Sequence, residues 1–156
     1  MEPLFSTPRL TVRPLQAGDE GAMHAWLSDA EVMRHLEPPF SPEKTREFLR
    51  LAGLADPPRI YGVARREDGA LIGHLIWHPY DPDSWELGWV LRRDCWGKGY
   101  AGELTAGALA LAGQEGISAL VLECLPDQTA TRRIARRFGF ALRGMDGACQ
   151  LWRRAL

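Results

Sequence analysis

The stretch WELGWVLRRDCWGKGYAGE, residues 85–103, decides the fold of this chain. Its first part, residues 85–91, predicts a strand, and its glycine-rich end leads into a predicted helix at residues 101–115 that Gly116 stops. Backbone N–H groups at such a helix start have no acceptor within the helix, and the helix dipole adds partial positive charge there. Glycine lets the backbone approach phosphate oxygens closely, so this turn predicts an anion-binding loop.

Outward from this stretch, hydrophobic patterns and turn residues predict the remaining elements. The predicted strands lie at residues 9–15, 60–65, 70–78, 118–124, 140–143 and 148–154, and the predicted helices lie at residues 19–29, from Ser41 as N-cap, and at 127–138. The order β-α-α-βββ-α-β-α-ββ favours an α+β fold, with a single mixed, mostly antiparallel sheet flanked by helices. The step from residue 85 to residue 124 is expected to be a right-handed parallel crossover.

Length and charge limit the class of protein. The 156 residues suit one domain, residues 1–156, and 46% apolar with 25% charged residues is typical of a globular chain. The net charge of −1 gives no reason to expect nucleic acid as a partner. Residues 1–91 carry 9 basic and 14 acidic residues, net −5, whereas residues 92–156 carry 10 basic and 6 acidic residues, net +4. The second half therefore suits an anion, and the first half suits a cation.

The cysteines and the hydropathy pattern predict where the protein works. Cys95, Cys124 and Cys149 are an odd number without close pairing, which favours a reducing compartment over a disulfide framework. No apolar run approaches the roughly 20 residues of a membrane span, and the first residues lack the features of a signal peptide. We therefore expect a cytoplasmic protein with no membrane partner.

Two interpretations of the glycine loop, residues 97–102, follow from its residues alone and do not depend on resemblance to a known family. Residues 97–102 match G-x-G-x-x-G, and Glu123 follows at the distance that a dinucleotide-binding fold requires. Against this, residues 92–96 separate the loop from its strand, and the chain lacks repeated β-α alternation. The plainest interpretation is a tight turn without a ligand.

A third interpretation comes from resemblance. Residues 96–101, WGKGYA, resemble the acetyl-CoA signature R/Q-x-x-G-x-G/A of the GNAT superfamily of N-acetyltransferases, with Trp96 where that family often has Arg or Gln. The form is similar to that of the branch resembling the ribosomal-protein N-terminal acetyltransferases RimJ and RimL. Residues 7–15, 31–36 and 127–140 resemble further segments of that branch in the same order. The resemblance covers nearly the whole chain, and it implies direct transfer of an acetyl group from acetyl-CoA to a primary amine.

The resemblance also implies which residues bind acetyl-CoA, and it implies no metal. The pyrophosphate would be held by the backbone amides of Gly97, Lys98, Gly99, Tyr100, Ala101 and Gly102. Val90, Leu91 and Arg92 would lie along the pantetheine arm, where a backbone N–H would polarise the thioester carbonyl. Gln128 stands where the family has an Asn that touches pantetheine.

Two residues are predicted to be catalytic. Glu86 precedes Leu87 and Gly88 as the family's glutamate does, and it is the candidate base that takes a proton from the amine, directly or through water. Thr131 stands where the branch resembling RimL has a Ser, so its hydroxyl is the candidate proton donor to the departing thiolate. The alternatives are a glutamate that faces solvent or pairs with an arginine, and a threonine that only supports its helix.

Four arginines crowd the predicted helix at residues 127–138, where like charges at i,i+4 repel. Arg133 is the predicted partner of the 3′-phosphate of coenzyme A, with surface carboxylates as the alternative partners of these arginines. His74 and His78 share one strand face and are candidates to line the acceptor cleft. Their spacing argues against a zinc site.

The acceptor amine stays open at this point. A protein N-terminus, a lysine, a polyamine and an amine antibiotic all fit, and a homodimer is an open option. The acidic first half would suit a cationic amine. The alternative function is a non-catalytic acyl-CoA-binding sensor or interaction module on the same fold.

Overall fold

A computed structural model describes residues 2–156. The strands are β1 (Phe5–Ser6), β2 (Leu10–Arg13), β3 (Ile60–Arg65), β4 (Leu71–Asp81), β5 (Ser84–Leu91), β6 (Ala119–Cys124), β7 (Ala141–Asp146) and β8 (Cys149–Ala155). The helices are α1 (Glu20–Leu27), α2 (Ala30–Met33), α3 (Pro42–Phe48), α4 (Tyr100–Glu115) and α5 (Thr129–Arg137). The predicted order of elements is confirmed. The short β1 is an addition that the sequence patterns did not indicate, and α2 overlaps residues 31–36, which resemble an early helical segment of the family branch.

All eight strands form one sheet in the order β1-β2-β3-β4-β5-β6-β8-β7. The neighbours pair antiparallel except for β5 and β6, which pair parallel as the crossover predicted. Within the described residues, the parallel ladder consists of Trp85 opposite Leu120 and Glu86 opposite Val121. Beyond Glu86, β5 and β6 no longer pair, so an opening lies between them in the middle of the sheet.

Helices cover the two faces of the sheet with separate cores. On one face, α4 and α5 bury Leu104, Ala108 and Ala135 against Leu87 and Leu122. The i,i+4 spacing along α4 gives it the apolar side that this packing requires. On the other face, α1 and α3 pack around a second core that includes Met23, Trp26, Leu49, Ile60 and Val90.

Local sequence signals explain the helix starts and one difference from prediction. Ser41 Oγ accepts a hydrogen bond from Lys44 N–H at 3.1 Å, so Ser41 caps α3 as predicted. The strand predicted to end at residue 78 is longer than expected, because a register shift between Pro79 and Asp81 lets β4 continue to Asp81. Over residues 2–156, no helix combines the length and the apolar character that crossing a membrane requires.

Candidate functional site

A cleft of about 710 Å³ lies beside the opening between β5 and β6. This volume is in the range that binds small molecules and cofactors. Its walls come from the segment around α2, the end of β5, the glycine loop and α5, and they include Glu31, His35, Trp89, Val90, Leu91, Trp96, Gly97, Gly99, Tyr100, Ala101, Gly102, Gln128, Thr131, Arg133 and Arg137. Most of the predicted site residues therefore meet in one cavity.

The glycine loop presents unpaired backbone amides to this cleft. Gly97 and Gly99 have φ angles of 73° and 81°, a region that favours glycine. The first hydrogen bond of α4 runs from Glu103 N–H to Gly99 O at 3.1 Å. The amides of residues 97–102 lie ahead of it, and no backbone carbonyl among residues 2–156 accepts from them. The loop thus has the geometry of an anion-binding site at a helix N-terminus.

Side chains on both sides hold this loop in place. Glu103 binds Arg9, with 2.7 Å between Oε1 and Nε, and the Arg9 guanidinium stacks over the Tyr100 ring at 4.4 Å. Cys95, which precedes the loop, is 1% exposed and therefore packs as a small buried group. A side chain at Gly102 would come within 3.3 Å of Arg137, so glycine there lets α4 and α5 approach closely. These contacts support the loop from the side of β2 and from the side of α5.

The open edge of β5 offers particular amides. Arg92 N–H donates to a β4 carbonyl oxygen at 2.7 Å. Because hydrogen-bonded and non-hydrogen-bonded pairs alternate along an antiparallel ladder, Val90 also directs its amide to β4, whereas Trp89 and Leu91 direct theirs to the opening. The Leu91 carbonyl on this side accepts from Trp96 Nε1 at 3.0 Å. Within the predicted segment Val90 to Arg92, only Leu91 therefore directs its N–H to the opening, and Trp89 offers a second such N–H that the sequence patterns missed.

Helix α5 divides its arginines between the cleft and the protein surface. Arg133 and Arg137 line the cleft. Arg132 Nη1 donates to the Pro126 carbonyl at 2.9 Å, and the Arg136 guanidinium lies 5.4 Å from the centre of the Trp152 ring. The sequence placed the cluster of arginines on one helix, and only the packing shows which two face the cavity.

The other predicted residues on this side differ in their freedom. Thr131 lines the cleft. Gln128 also lines it, but its Oε1 accepts from Leu125 N–H at 2.8 Å, which leaves its amide NH₂ for a ligand. Lys98 is exposed and lies outside the cleft wall. Its side chain is therefore not part of the cavity, although its backbone amide belongs to the loop.

Two side-chain contacts hold the α2 segment against the rim of the cleft. His35 Nδ1 lies 3.4 Å from Asp127 Oδ1 near the start of α5. Arg93 Nε lies 3.1 Å from Asp29 Oδ2, which joins the loop side to the start of α2. The α2 segment is thus joined both to the start of α5 and to the loop after β5, which places it at the border of the cleft.

Glu86 lies at the end of the parallel ladder, where the opening begins, and outside the cleft wall. Its Oε1 is 3.3 Å from His78 Nε2, and its side chain is 19% exposed. Burial raises the pKa of Glu86 above its ordinary value, and the neighbouring His78 and Arg59 side chains partly offset this. A carboxylate in this setting binds a proton more tightly than one in water.

A second group of carboxylates lies near Glu86. The Tyr80 hydroxyl is 2.9 Å from Glu123 Oε1 and 3.1 Å from Asp146 Oδ2. Burial and the neighbouring Asp146 raise the pKa of Glu123 to about 6. The dinucleotide interpretation is wrong, because Glu123 binds Tyr80 outside the cleft and the sheet is mostly antiparallel.

His74 is not part of either group. It is 3% exposed, and its Nδ1 accepts a hydrogen bond from Trp26 Nε1 at 3.0 Å. The prediction that His74 lines the acceptor cleft is therefore wrong, because α1 covers this part of the strand face. Among residues 2–156, no three His, Cys, Asp or Glu side chains are grouped as metal ligands would be.

Comparison with known sequences gives a family for this geometry. The model of a family described as acetyltransferase (GNAT) domain matches residues 9–141. The chain is also 26% identical over 148 residues to a Bacillus subtilis (strain 168) protein named uncharacterized N-acetyltransferase YnaD. That match covers 93% of this chain and 86% of that protein.

Comparison with solved structures gives the same fold. A GNAT-family acetyltransferase from Bacillus anthracis matches with a TM-score of 0.86 and 24% identity, over 97% of this chain and 96% of that chain. RimL, a ribosomal-protein α-N-acetyltransferase solved in complex with coenzyme A, matches with a TM-score of 0.83 and 20% identity, over 99% of this chain and 98% of that chain. At these identities the likeness concerns the arrangement of helices and strands.

Proposed function

Because the chain belongs to the GNAT acetyltransferase family and is an acetyl-CoA-dependent acetyltransferase, we propose that it transfers the acetyl group directly to a primary amine. The observation that carries this proposal is the set of unpaired amides of residues 97–102, placed beside an opening in the middle of the sheet. Acetyl-CoA supplies an acetyl thioester to the reaction. Every other contribution comes from the residues around the cleft.

The residues present fit coenzyme A along its length. The amides of residues 97–102 and the dipole of α4 suit a pyrophosphate. Arg133 and Arg137 add two positive charges on the wall that α5 forms, where a further phosphate would be bound. The open edge of β5 offers the Trp89 and Leu91 amides to an extended chain with its own amide groups, as a neighbouring strand would pair.

Direct transfer requires the amine to lose a proton. At pH 7 a lysine amine is roughly 0.04% neutral and a protein α-amine roughly 10–20% neutral, so a base assists either acceptor. Glu86 is the candidate, because it lies where the opening begins and burial raises its proton affinity. A base whose pKa lies closer to the working pH transfers protons more efficiently.

Two further groups assist the reaction at the carbonyl and at sulfur. An N–H from Leu91 or Trp89 would stabilise negative charge that develops on the carbonyl oxygen. Thr131 lines the cleft and its hydroxyl would protonate the departing thiolate. The cleft fixes these groups on regular elements, which supports a large contribution from orientation.

The acceptor is proposed to be a cationic amine, either a protein α-amine or a small molecule. The carboxylates of Glu86, Glu123 and Asp146 lie close to one another and favour a positively charged group. The name of RimL, an α-N-protein acetyltransferase that shares this fold, favours a protein N-terminus.

The test is thiol release from acetyl-CoA with a panel of amines: peptides with free N-termini, N-terminally blocked lysine peptides, and polyamines. We expect turnover on at least one class, and Glu86→Gln should lower kcat by about a hundredfold, within the usual range for loss of a general base. Binding of coenzyme A without turnover on any amine would contradict the proposal and favour an acyl-CoA sensor. An unchanged kcat and pH profile in Glu86→Gln would remove Glu86 from the mechanism.

A further inference from the structure

His78 lies beside Glu86 on the neighbouring strand of the sheet. The two residues are opposite each other in the antiparallel ladder of β4 and β5, so their side chains leave the same face. Their closest atoms, His78 Nε2 and Glu86 Oε1, are 3.3 Å apart. The His78 side chain is 11% exposed, so the contact is largely shielded and still reaches water at one side.

The hydrogen-bond partners of the ring fix which nitrogen carries a proton. His78 Nδ1 is 2.8 Å from the carbonyl oxygen of Pro79. A carbonyl oxygen only accepts hydrogen bonds, so Nδ1 must be the N–H. In the neutral ring, Nε2 therefore carries a lone pair and no hydrogen, and Glu86 Oε1 lies 3.3 Å from it.

The two neighbours of Nε2 make opposite demands on it. Arg59 Nη2 lies 3.4 Å from Nε2 and can only donate, so it requires the lone pair. An ionised Glu86 can only accept, so it requires a proton on Nε2. One proton held between Nε2 and Oε1 resolves the conflict with the carboxylate, because either atom then donates to the other. The 3.3 Å contact therefore accommodates a single proton shared by the pair.

We propose that Glu86 and His78 form one proton-accepting dyad, in which Glu86 takes the proton of the attacking amine and passes it to His78 Nε2. This inference rests on the proposed role of Glu86 as the base. In the first step the amine N–H bond breaks and a Glu86 O–H bond forms; in the second the O–H bond breaks and an Nε2–H bond forms. The Nε2–H bond then breaks and the proton passes to water, which restores the neutral ring, while His78 itself does not touch the substrate.

Other charged groups around the dyad influence how tightly it holds this proton. Asp146 from β7 and Glu123 from β6 add negative charge near Glu86, which favours retention of the proton. Arg59, which precedes β3, opposes it. Because the two members interact closely, the proton belongs to the pair and titrates with apparent values of the pair.

The dyad predicts an unusual response to His78→Gln. In the wild type, kcat/KM falls at low pH because the Glu86–His78 pair, which contains an imidazole, becomes protonated. This fall is the acidic limb of the pH profile. In the variant a lone carboxyl remains, so the limb should move to lower pH by about one pH unit. The weaker base should also lower the plateau of kcat by about tenfold. A histidine that acted only as a fixed positive charge would have the opposite effect, because its removal would raise the proton affinity of Glu86.

The first experiment records kcat/KM over roughly pH 5–9, with the amine found active, for the wild type, His78→Gln and, as a matched control, His24→Gln. His24 is half-buried in α1 and hydrogen-bonded to Thr45, away from the dyad. A limb at lower pH in His78→Gln alone, with unchanged affinity for coenzyme A, supports the dyad. An unchanged limb, or a limb at higher pH, overturns it.

The second experiment does not depend on turnover. Nuclear magnetic resonance of ¹⁵N-labelled histidine should show the Nδ1–H tautomer of neutral His78, and Glu86→Gln should change the Nε2 chemical shift, because it removes the carboxylate that shares the proton. An Nε2–H tautomer, or an unaltered Nε2 chemical shift, overturns the dyad even if His78→Gln does not fold. If the dyad is found and Glu86→Gln keeps full activity, the assignment of Glu86 as base has failed instead.

Discussion

Replacing His74 with glutamine should change how the stability of the protein depends on pH. The imidazole is buried, and its Nδ1 accepts from Trp26 Nε1, so the folded state requires the neutral ring. Burial lowers the pKa of His74 from 6.5 to about 4. Between these values the unfolded chain binds more protons than the folded chain. Acidification from pH 6.5 to pH 4 therefore lowers the free energy of unfolding.

The size of this effect follows from the two pKa values. A difference of about 2.5 units corresponds to about 3 kcal/mol, because each unit is worth 1.36 kcal/mol. This contribution is fully present above pH 6.5 and is lost as the pH falls to about 4. Glutamine does not titrate, and its side-chain oxygen is able to accept from Trp26. At neutral pH the variant should be less stable than the wild type through imperfect packing, and the gap should close by about 3 kcal/mol on acidification.

The assay is urea unfolding at a series of pH values, followed by tryptophan fluorescence. Glu86 and Glu123 also have perturbed pKa values, but they are present in both proteins and cancel in the difference. The measured quantity is the wild-type free energy of unfolding minus that of His74→Gln. A difference that stays constant from pH 7 to pH 4 would refute the reasoning, because the buried neutral imidazole would then contribute nothing to acid sensitivity.

Three further substitutions test other parts of the structure. Gly73→Ala would place a carbon 2.3 Å from a backbone oxygen of β5, so the free energy of unfolding in urea should fall by about 3 kcal/mol or more. Gly18→Ala, which has open space around it, is the control. Equal stability of the two variants would contradict this expectation. Gly99→Ala puts alanine at a φ of 81°, which should cost about 1–2 kcal/mol and weaken coenzyme A binding in calorimetry; unaltered binding would show that the loop does not hold the ligand. Arg133→Ala should weaken coenzyme A binding by about tenfold and leave dephospho-coenzyme A unaffected, whereas equal losses for both ligands, or the same loss in Arg136→Ala, would refute the phosphate contact.

Much of the fold was predictable because it depends on local signals. The glycines at 97 and 99, the Ser41 cap and the alternating strands each have a physical cause within a few residues. The direction of the amides at the end of β5 was not predictable, because it depends on which pairs of the β4–β5 ladder are hydrogen-bonded. Sequence periodicity sets the face of a side chain and leaves the pairing of the backbone undefined.

The two histidines of β4 show the same limit for the site. His74 and His78 were correctly predicted on one strand face. Trp26 and Phe48 cover His74, whereas His78 contacts Glu86. The charge asymmetry was similarly only half informative. The basic half does supply Arg133 and Arg137 to the cleft, but the same half also supplies Glu123 and Asp146 to the acidic group beside Glu86. A sum over sequence does not show where folding brings charges together.

The short parallel ladder between β5 and β6 also has a consequence for how the molecule opens. Two register pairs join strands that are separated in sequence by all of α4, so this junction costs more chain entropy per contact than the neighbouring β4–β5 hairpin. We expect amide hydrogen exchange to be faster along the facing edges of β5 and β6 than in β3 and β4, and to slow when coenzyme A binds. The weakest seam of the sheet would then be the place where the ligand completes it.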